Sequence, residues 1–362
     1  MNPRIESRLP KDGWYKRIDE AKYAVELKKL QDIMDYIGNN CYGAELKLTL
    51  FVAAAITYRY DSCCIPFPEK FKINNSEKDI DRLLKAIDGT PRFIELMKYR
   101  TAKEVLGRDI IPFDSIDLLY WLFIEMKEFV LKHDYCPRRL TKLLKSTEWE
   151  RNKPQYIFKV EYDKYSRGEH TFFNNYINRE ISRCFALHGT KLHNLHNILH
   201  HGLQQHLSKN ALFGEGLYLS PELSVSLPYS RNGLGWNKCK FGDSMSIVTL
   251  CEVIEDPRYV STCNIKKPEN KDLPEKYIVC TNNEMVRVRY LLVYANKTSN
   301  HVSALKENNW KSWLNWRTMA VLYLIILIFI GFKDSAYLNY LKKIFFQKVQ
   351  STLKVFLGTG RE

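Results

Sequence analysis

Residues 186–229 constrain the fold of this chain most, because strand-like and helix-like patterns alternate within them. A short apolar run ends in His188 and Gly189, as at the end of a strand. Apolar residues then recur at helical spacing until Gly202, and a polar loop leads to a second short strand that contains Tyr218. A helical turn after Pro221 ends near Tyr229. This order can bring one histidine and two tyrosines around a small flat ligand.

The rest of the chain divides into a helical part and a part rich in strands. Before residue 150, helical spacing or continuous apolar character predicts helices at 18–37, 44–60, 80–87, 93–99 and 116–131. Strand-like patterns follow at 156–162, 244–253, 274–279 and 286–294. The sequence therefore predicts an α-helical packing or regulatory domain (1–150) before an α+β domain (151–296). Residues 44–60 are too few to cross a bilayer, so we expect a buried helix there.

A second apolar segment, 319–332, lies between a polar linker (297–312) and a basic tail (333–362). On length alone it fits a buried, an interfacial or a membrane-spanning helix. Extending it back to Trp313 gives about twenty residues, with tryptophans where a membrane interface would place them. We therefore expect a transmembrane helix at 313–332. Positive charges flank this segment on both sides, so they do not orient it.

Composition limits the location and the partners. Residues 1–22 are charged and lack a signal-peptide pattern, so we expect an anchor that inserts after synthesis and leaves the preceding domains in the cytosol. The nine cysteines show no paired Cys-x-x-Cys spacing, which indicates reduced thiols. A net charge of +14 is compatible with an acidic partner, a membrane surface, nucleic acid or simply a basic solvated surface. Because the sequence lacks a dense Lys/Arg block and an RNP-like motif, no nucleic acid is expected.

Two motifs carry a family resemblance, His188-Gly189-Thr190 and the Gly-Glu-Gly-Leu-Tyr sequence that ends in Tyr218. Their order, followed by Tyr229, resembles the catalytic domain of the poly(ADP-ribose) polymerase family, the diphtheria-toxin-like ADP-ribosyltransferases. The resemblance extends from about residue 156 to the C-terminus. It implies a split β-sheet catalytic domain that uses NAD as its substrate and protein side chains as acceptors.

The resemblance also implies roles for single residues. His188 would donate to the adenosine ribose, and Gly189 would let its backbone approach the nicotinamide carboxamide because it has no Cβ. Tyr218 and Tyr229 would enclose the nicotinamide ring, and Ser226 would bind its carboxamide. The loop from 204 to 216 would border the adenine. The implied NAD-binding residues are thus His188, Gly189, Thr190, Tyr218, Ser226 and Tyr229.

Tyr277 is predicted to occupy the third catalytic position, beside His188 and Tyr218, where polymerising family members have glutamate. A phenol, whose ordinary pKa is about 10, cannot act as a base near neutral pH, so single transfer is expected without chain growth. This tyrosine and the C-terminal apolar segment resemble tail-anchored mono-ADP-ribosyltransferases of the endoplasmic reticulum. That resemblance implies a cytosolic catalytic domain, a luminal tail, acceptors at this membrane and a role in the unfolded protein response.

Three alternatives remain at this point. Taken singly, His188 and the tyrosines could be ordinary packing residues. The chain could be a catalytically silent, membrane-bound scaffold that binds NAD or ADP-ribose, or a basic nucleic-acid-binding protein. Histidines 193, 196 and 200 share a predicted helical face and raise the hypothesis of a zinc site, but carboxylate and cysteine partners are absent nearby, so no metal is expected.

Overall fold

The computed structural model describes residues 20–74, 77–135, 137–144, 152–164, 166, 172, 181–205, 213–263 and 273–296. They belong to the unit that extends from Met1 to Thr298. The predicted transmembrane helix at 313–332, its linker and its tail lie outside the described residues. Within the described ranges, no helix is both long enough and apolar enough to cross a membrane.

Short helices dominate the first part of the chain. Side-chain caps begin two of them, since Asp79 accepts a hydrogen bond from Arg82 N and Thr101 accepts one from Glu104 N. The helices predicted at 18–37, 44–60, 80–87 and 93–99 are confirmed in position, although their ends differ. The helices of this part are α1 (Glu20–Asn39), α2 (Cys41–Ile56), α3 (Tyr60–Cys63), α4 (Ile80–Gly89), α5 (Phe93–Leu96), α6 (Ala102–Gly107) and α7 (Phe113–Tyr120).

Helix α2 is the buried helix that its apolar sequence predicts. Its residues from Gly43 to Ala55 are all buried, charged ones included. Among them, the Lys47 ammonium donates to the backbone oxygen of Met126 at 2.7 Å, and burial lowers its pKa to about 8. The helix therefore lies in the interior of the unit and not on its surface.

The prediction of one long helix at 116–131 is wrong. Helix α7 ends at Tyr120, one π-helical turn follows (Trp121–Glu125), and Phe129–His133 form a strand, β1. Buried Phe129 and Leu131 alternate with more exposed neighbours, as strand geometry requires. Short apolar runs fit either pattern, and no glycine or proline marks the end of the helix here, so periodicity alone could not separate the two elements.

Two antiparallel sheets follow. The larger sheet has the strand order β1-β2-β9-β6-β3, with β5 paired to β6, and the smaller one has the order β4-β8-β7. The remaining strands are β2 (Tyr156–Tyr162), β3 (Arg183–Gly189), β4 (Leu217–Leu219), β5 (Gly233–Leu234), β6 (Ser244–Ile254), β7 (Val260–Ser261), β8 (Ile278–Cys280) and β9 (Val286–Asn296). The helices among them are α8 (Pro137–Leu144), α9 (Leu195–His201) and α10 (Leu223–Ser226).

Strand β6 is buried on both faces of the larger sheet. Met245 and Ile247 pack into the hydrophobic core that also contains the residues of α1, α2 and α7. Val248 and Leu250 point to the opposite face and pack with Leu140 of α8. The helical region and the sheet thus share one core, with α2 packed against β1 and α9.

In the part of the chain that the structure describes, one isolated bridge joins the two sheets near the end of β3. Leu187 and Ser220 exchange both backbone hydrogen bonds, at 2.7 and 2.9 Å. Since Leu187 precedes His188 and Ser220 follows β4, this bridge brings the ends of β3 and β4 together. The fold thereby places the two motifs of the sequence side by side.

Candidate active site

His188 lies at the junction of the two sheets. Its Nδ1 is 2.9 Å from the backbone oxygen of Tyr218, and a carbonyl can only accept, so Nδ1 carries the proton. Burial lowers the pKa of His188, against an opposing effect of this hydrogen bond, which favours the neutral ring. Nε2 is then an acceptor. A ligand hydroxyl would therefore donate to His188, whereas the sequence-based expectation had the histidine donating.

The Tyr218 ring is fixed through its hydroxyl group. Its Oη accepts from the backbone nitrogen of Phe213 at 2.8 Å and donates to the backbone oxygen of Gly214 at 2.6 Å. Both partners belong to the loop that precedes β4. With both hydrogen bonds made, the ring is a preformed aromatic wall with little freedom to rotate.

Gly189 allows two segments to meet at a distance that no other residue permits. A Cβ at this position would lie 1.9 Å from the backbone oxygen of Ser226 and 2.9 Å from Cβ of Tyr229. The buried Ser226 hydroxyl donates to Leu187 O at 3.1 Å, which ties the same segment to β3. Tyr229 extends from it with 49% of its surface exposed, so its ring is open to a ligand.

Tyr277 is not in a strand, contrary to the prediction of a strand at 274–279. Strand β8 begins at Ile278. Tyr277 closes a turn, in which its backbone nitrogen donates to Pro274 O at 3.0 Å. Because proline has no N–H and favours turns, the chain pairs with β4 only after this turn. The Tyr277 ring packs on Phe213, with ring centroids 5.4 Å apart and planes at 42°.

One cavity of about 410 Å³ joins these residues. That volume is within the usual range for sites that bind small molecules. The part of the 204–216 loop from 206 to 212 lies outside the described residues. The cavity is lined by all the residues predicted from the sequence: His188, Gly189, Thr190, Tyr218, Ser226, Tyr229 and Tyr277.

The cavity has a wall that sequence reasoning missed. Arg59, Ser62 and Cys63, from the helical region, line it together with Asn194 and Asn197 around α9. These groups come from parts of the chain more than a hundred residues apart, and the cysteine contact to Asn194 spans 131 positions. No local pattern signals such a contact, because it depends on how α3 packs against the sheet region.

The predicted histidine face on α9 packs inward against the helical region. His196 Nε2 donates to Pro66 O at 2.9 Å, and His200 Nδ1 donates to a carboxylate oxygen of Glu128 at 2.5 Å. Burial is the main cause that lowers the pKa of His193, His196 and His200. No group of three or more metal-ligating side chains occurs among the residues that the structure describes.

The described lining residues include no carboxylate. The site therefore offers aromatic surface, hydroxyl and amide groups, a neutral histidine and two positively charged side chains, Arg59 and Lys191. It offers no acidic side chain to act as a base. Such a set suits a flat aromatic ring and ribose hydroxyls better than it suits a metal ion or a reaction that needs carboxylate catalysis.

Two protein-family models match this chain. The sequence model of the ARTD15 N-terminal domain matches residues 35–123, and that of the poly(ADP-ribose) polymerase catalytic domain matches residues 138–272. Tyr277 and the strands β8 and β9 lie beyond the second match.

Two curated relatives, from Homo sapiens and Mus musculus, are each named protein mono-ADP-ribosyltransferase PARP16. The human protein is 30% identical over 318 residues, which cover 83% of this chain and 92% of that protein. The mouse protein is 31% identical over 311 residues, 81% of this chain and 91% of that protein.

Proposed function

Because this chain belongs to the poly(ADP-ribose) polymerase family, we propose that it transfers single ADP-ribose units from NAD to protein side chains, its own included. That it is an NAD-dependent ADP-ribosyltransferase follows from the family itself. The restriction to single units, the protein acceptors and the place in the cell are the proposal. The observation that supports the restriction is that the described lining of the cavity contains Tyr277 and no carboxylate. The proposal takes Tyr277 as the residue that stands in place of the family's glutamate.

The reaction breaks the bond between the anomeric carbon of the ribose and the nitrogen of nicotinamide. Nicotinamide leaves as a neutral molecule and takes the electron pair of that bond, so no acid has to protonate it. An oxygen or nitrogen of the acceptor side chain forms the new bond to the anomeric carbon, and any proton it carries passes to water. The site's contribution is to hold ring and ribose in an aligned pose.

Each residue has a part in that pose. Tyr218 and Tyr229 enclose the nicotinamide ring, each aromatic contact contributing about 1 kcal/mol beyond area burial. The Gly189 backbone and Ser226 contact the carboxamide of nicotinamide. His188 Nε2 accepts a hydrogen bond from a hydroxyl of the adenosine ribose. Thr190 continues this wall, with its backbone nitrogen donating to the Ser230 hydroxyl at 3.2 Å. Growth of a chain needs a base for an incoming ribose hydroxyl. The described lining provides no carboxylate for that role, and His188 is engaged by the adenosine ribose.

We further propose that the protein is anchored in the membrane of the endoplasmic reticulum by residues 313–332. The catalytic domain would face the cytosol, the tail would face the lumen, and the acceptors would lie at this membrane. The support is the sequence of the segment, which is apolar from 319 to 332 and begins with tryptophans. A role in the unfolded protein response would appear as self-modification that rises in cells when luminal proteins are made to misfold.

Product analysis tests the main proposal. The full chain in detergent is incubated with labelled NAD, and the modified protein is digested with a phosphodiesterase that cuts pyrophosphate bonds. Single units release AMP, whereas the interior of a polymer releases AMP that carries an extra phosphoribosyl group. We expect AMP alone. The phosphoribosylated product would contradict the restriction to single units, and NAD binding without any transfer would instead indicate a silent scaffold.

A further inference from the structure

The helical region is fastened to the part of the cavity that follows His188-Gly189. The Asn197 side chain donates to the backbone oxygen of Ser62 at 2.8 Å. The Cys63 thiol donates to the Asn194 side chain at 3.5 Å, and the same asparagine donates to the Thr190 hydroxyl at 3.0 Å. Helix α3 is therefore held in place against the cavity, and so is Arg59, which directly precedes it.

The permanent charges on the described cavity lining are Arg59 and Lys191, both positive, with no carboxylate to oppose them. Lys191 is exposed and Arg59 is half-buried. Neither side chain forms an ion pair with another described residue. Other cations of the helical region do form ion pairs: Lys29 and Lys70 both contact Asp117, and Arg82 contacts Asp114. The two charges at the cavity are thus available to a ligand.

Arg59 and Lys191 approach the cavity from different parts of the fold. Arg59 comes from the helical region, and Lys191 follows the end of β3. Both act on the same neighbour, because after burial their positive charges are the causes that lower the pKa of His193. Two positive side chains that line the same cavity, without an ion-pair partner among the described residues, are suited to a ligand with two negative charges close together.

We propose that Arg59 and Lys191 bind the diphosphate of NAD, so that the helical region forms part of the substrate site. The inference rests on NAD being the substrate of this cavity. The guanidinium group of Arg59 offers two parallel N–H donors to phosphate oxygens, and Lys191 adds a compact charge from the segment that follows β3. The helical region then does more than pack against the catalytic sheet: it determines how tightly NAD is held.

Binding measurements on the full chain in detergent test this assignment. The probe is an NAD analogue in which a methylene group replaces the ring oxygen of the nicotinamide ribose, so that it cannot react. Nicotinamide alone, which has no diphosphate, is the second ligand. The variants are Arg59→Gln and Lys191→Gln, with Arg100→Gln as the matched control, because Arg100 is exposed, belongs to the helical region and lies outside the cavity.

We expect Arg59→Gln and Lys191→Gln each to weaken binding of the analogue about tenfold, the equivalent of about 1.4 kcal/mol. Nicotinamide binding and the Arg100→Gln control should stay at the parent value, and Arg59→Lys should recover part of the loss. In turnover, KM for NAD should rise while kcat changes little, as for binding that is equal in the ground and transition states. Added salt should weaken binding of the analogue more in the parent than in a variant that carries both Arg59→Gln and Lys191→Gln.

Three results would overturn the assignment. Unchanged affinity for the analogue in Arg59→Gln would show that the charge is merely solvated, and an equal loss for nicotinamide would show that the variant disturbs the whole site. A parent protein that binds nicotinamide but not the analogue would defeat both this inference and the use of NAD in this cavity. Binding of the analogue that ignores Arg59 and Lys191 would leave the proposed function intact and remove only the diphosphate site.

Discussion

Among single residues, Gly189 tolerates change least, because two backbone segments meet where its side chain would be. We expect Gly189→Ala to lower the free energy of unfolding by at least about 1–3 kcal/mol, the usual cost of forcing extra atoms into a packed site. The reason is the 1.9 Å separation between a Cβ at this position and the backbone oxygen of Ser226. Urea unfolding measures the loss, and binding of the non-reacting NAD analogue should weaken with it.

Gly107→Ala is the matched control for this change. A Cβ on Gly107, the last residue of α6, meets nothing within 4 Å. That substitution should be neutral or should stabilise by up to about 1 kcal/mol, because alanine restricts the unfolded chain. Equal effects of the two substitutions would mean that close approach at Gly189 does not govern this site.

Among the helices and strands, those with a long and unambiguous local sequence pattern could be predicted, and those that depend on contacts with distant segments could not. Strands β2, β6 and β9 were predictable, because long runs of β-branched and aromatic residues leave little choice. Strand β1 was not, since its apolar residues, 129–131, form a short run that fits helical spacing as well as a strand. Tyr277 was placed near its true position but in a strand, although Pro274 directs the chain into a turn before β8.

The candidate site shows the same limit. Its residues from 188 to 229 were predictable because they are close in sequence and form a recognisable order. Arg59, Ser62 and Cys63 were not, because their place at the cavity depends on the packing of α3 beside α9. Sequence patterns report local periodicity, whereas this wall is a product of tertiary contacts between distant segments.

Helix α9 should make the stability of the protein depend on pH. Burial lowers the pKa of His196 well below 6.5, and the pKa of His200, which lies beside Glu128 and Lys47, is lowered as well. Between pH 6.5 and these lowered values, the unfolded chain binds more protons than the folded one. The free energy of unfolding should therefore fall as pH falls below about 6.5, by up to about 1.4 kcal/mol per pH unit for each such histidine.

Urea unfolding at pH 7.5 and 5.5 measures this dependence, and His196→Gln should make it shallower. Glutamine keeps a donor for Pro66 O but does not titrate. His201→Gln, on the exposed side of the same helix, should retain the slope of the parent. A parent protein whose stability is flat over this interval would contradict the assignment of neutral buried histidines.

For the whole unit, the shared hydrophobic core means that the helical region cannot be removed without disturbing the sheet. The core that contains Leu30, Leu48 and Leu119 of the helices also contains Ile247 and Leu291 of the sheet. Removing the helical region would expose one face of the sheet and would also remove the Arg59 wall of the cavity. The domain boundary predicted at residue 150 remains a prediction about the sequence, and strand β1 lies on its N-terminal side.

The last prediction concerns the membrane anchor. The ten Val, Leu, Ile and Phe residues of 319–332 contribute roughly −3 to −6 kcal/mol to insertion, whereas each central lysine costs about 2.5–3.5 kcal/mol. Replacing both Ile325 and Ile328 by lysine should thus cancel the gain and move the protein from the carbonate-washed membrane fraction to the soluble fraction. The transferase should remain active, because the catalytic unit ends at Thr298.

Replacing the same two isoleucines by leucine is the control, and that variant should stay in the membrane fraction because leucine inserts about as well. Orientation follows from an Asn-x-Thr sequon placed beyond Leu357, where glycosylation would mean a luminal tail and a cytosolic enzyme. Glycosylation of Asn296, which begins the natural sequon Asn296-Lys297-Thr298, would instead place the catalytic domain in the lumen. A lysine variant that still sediments with the membranes would exclude 313–332 as the sole anchor.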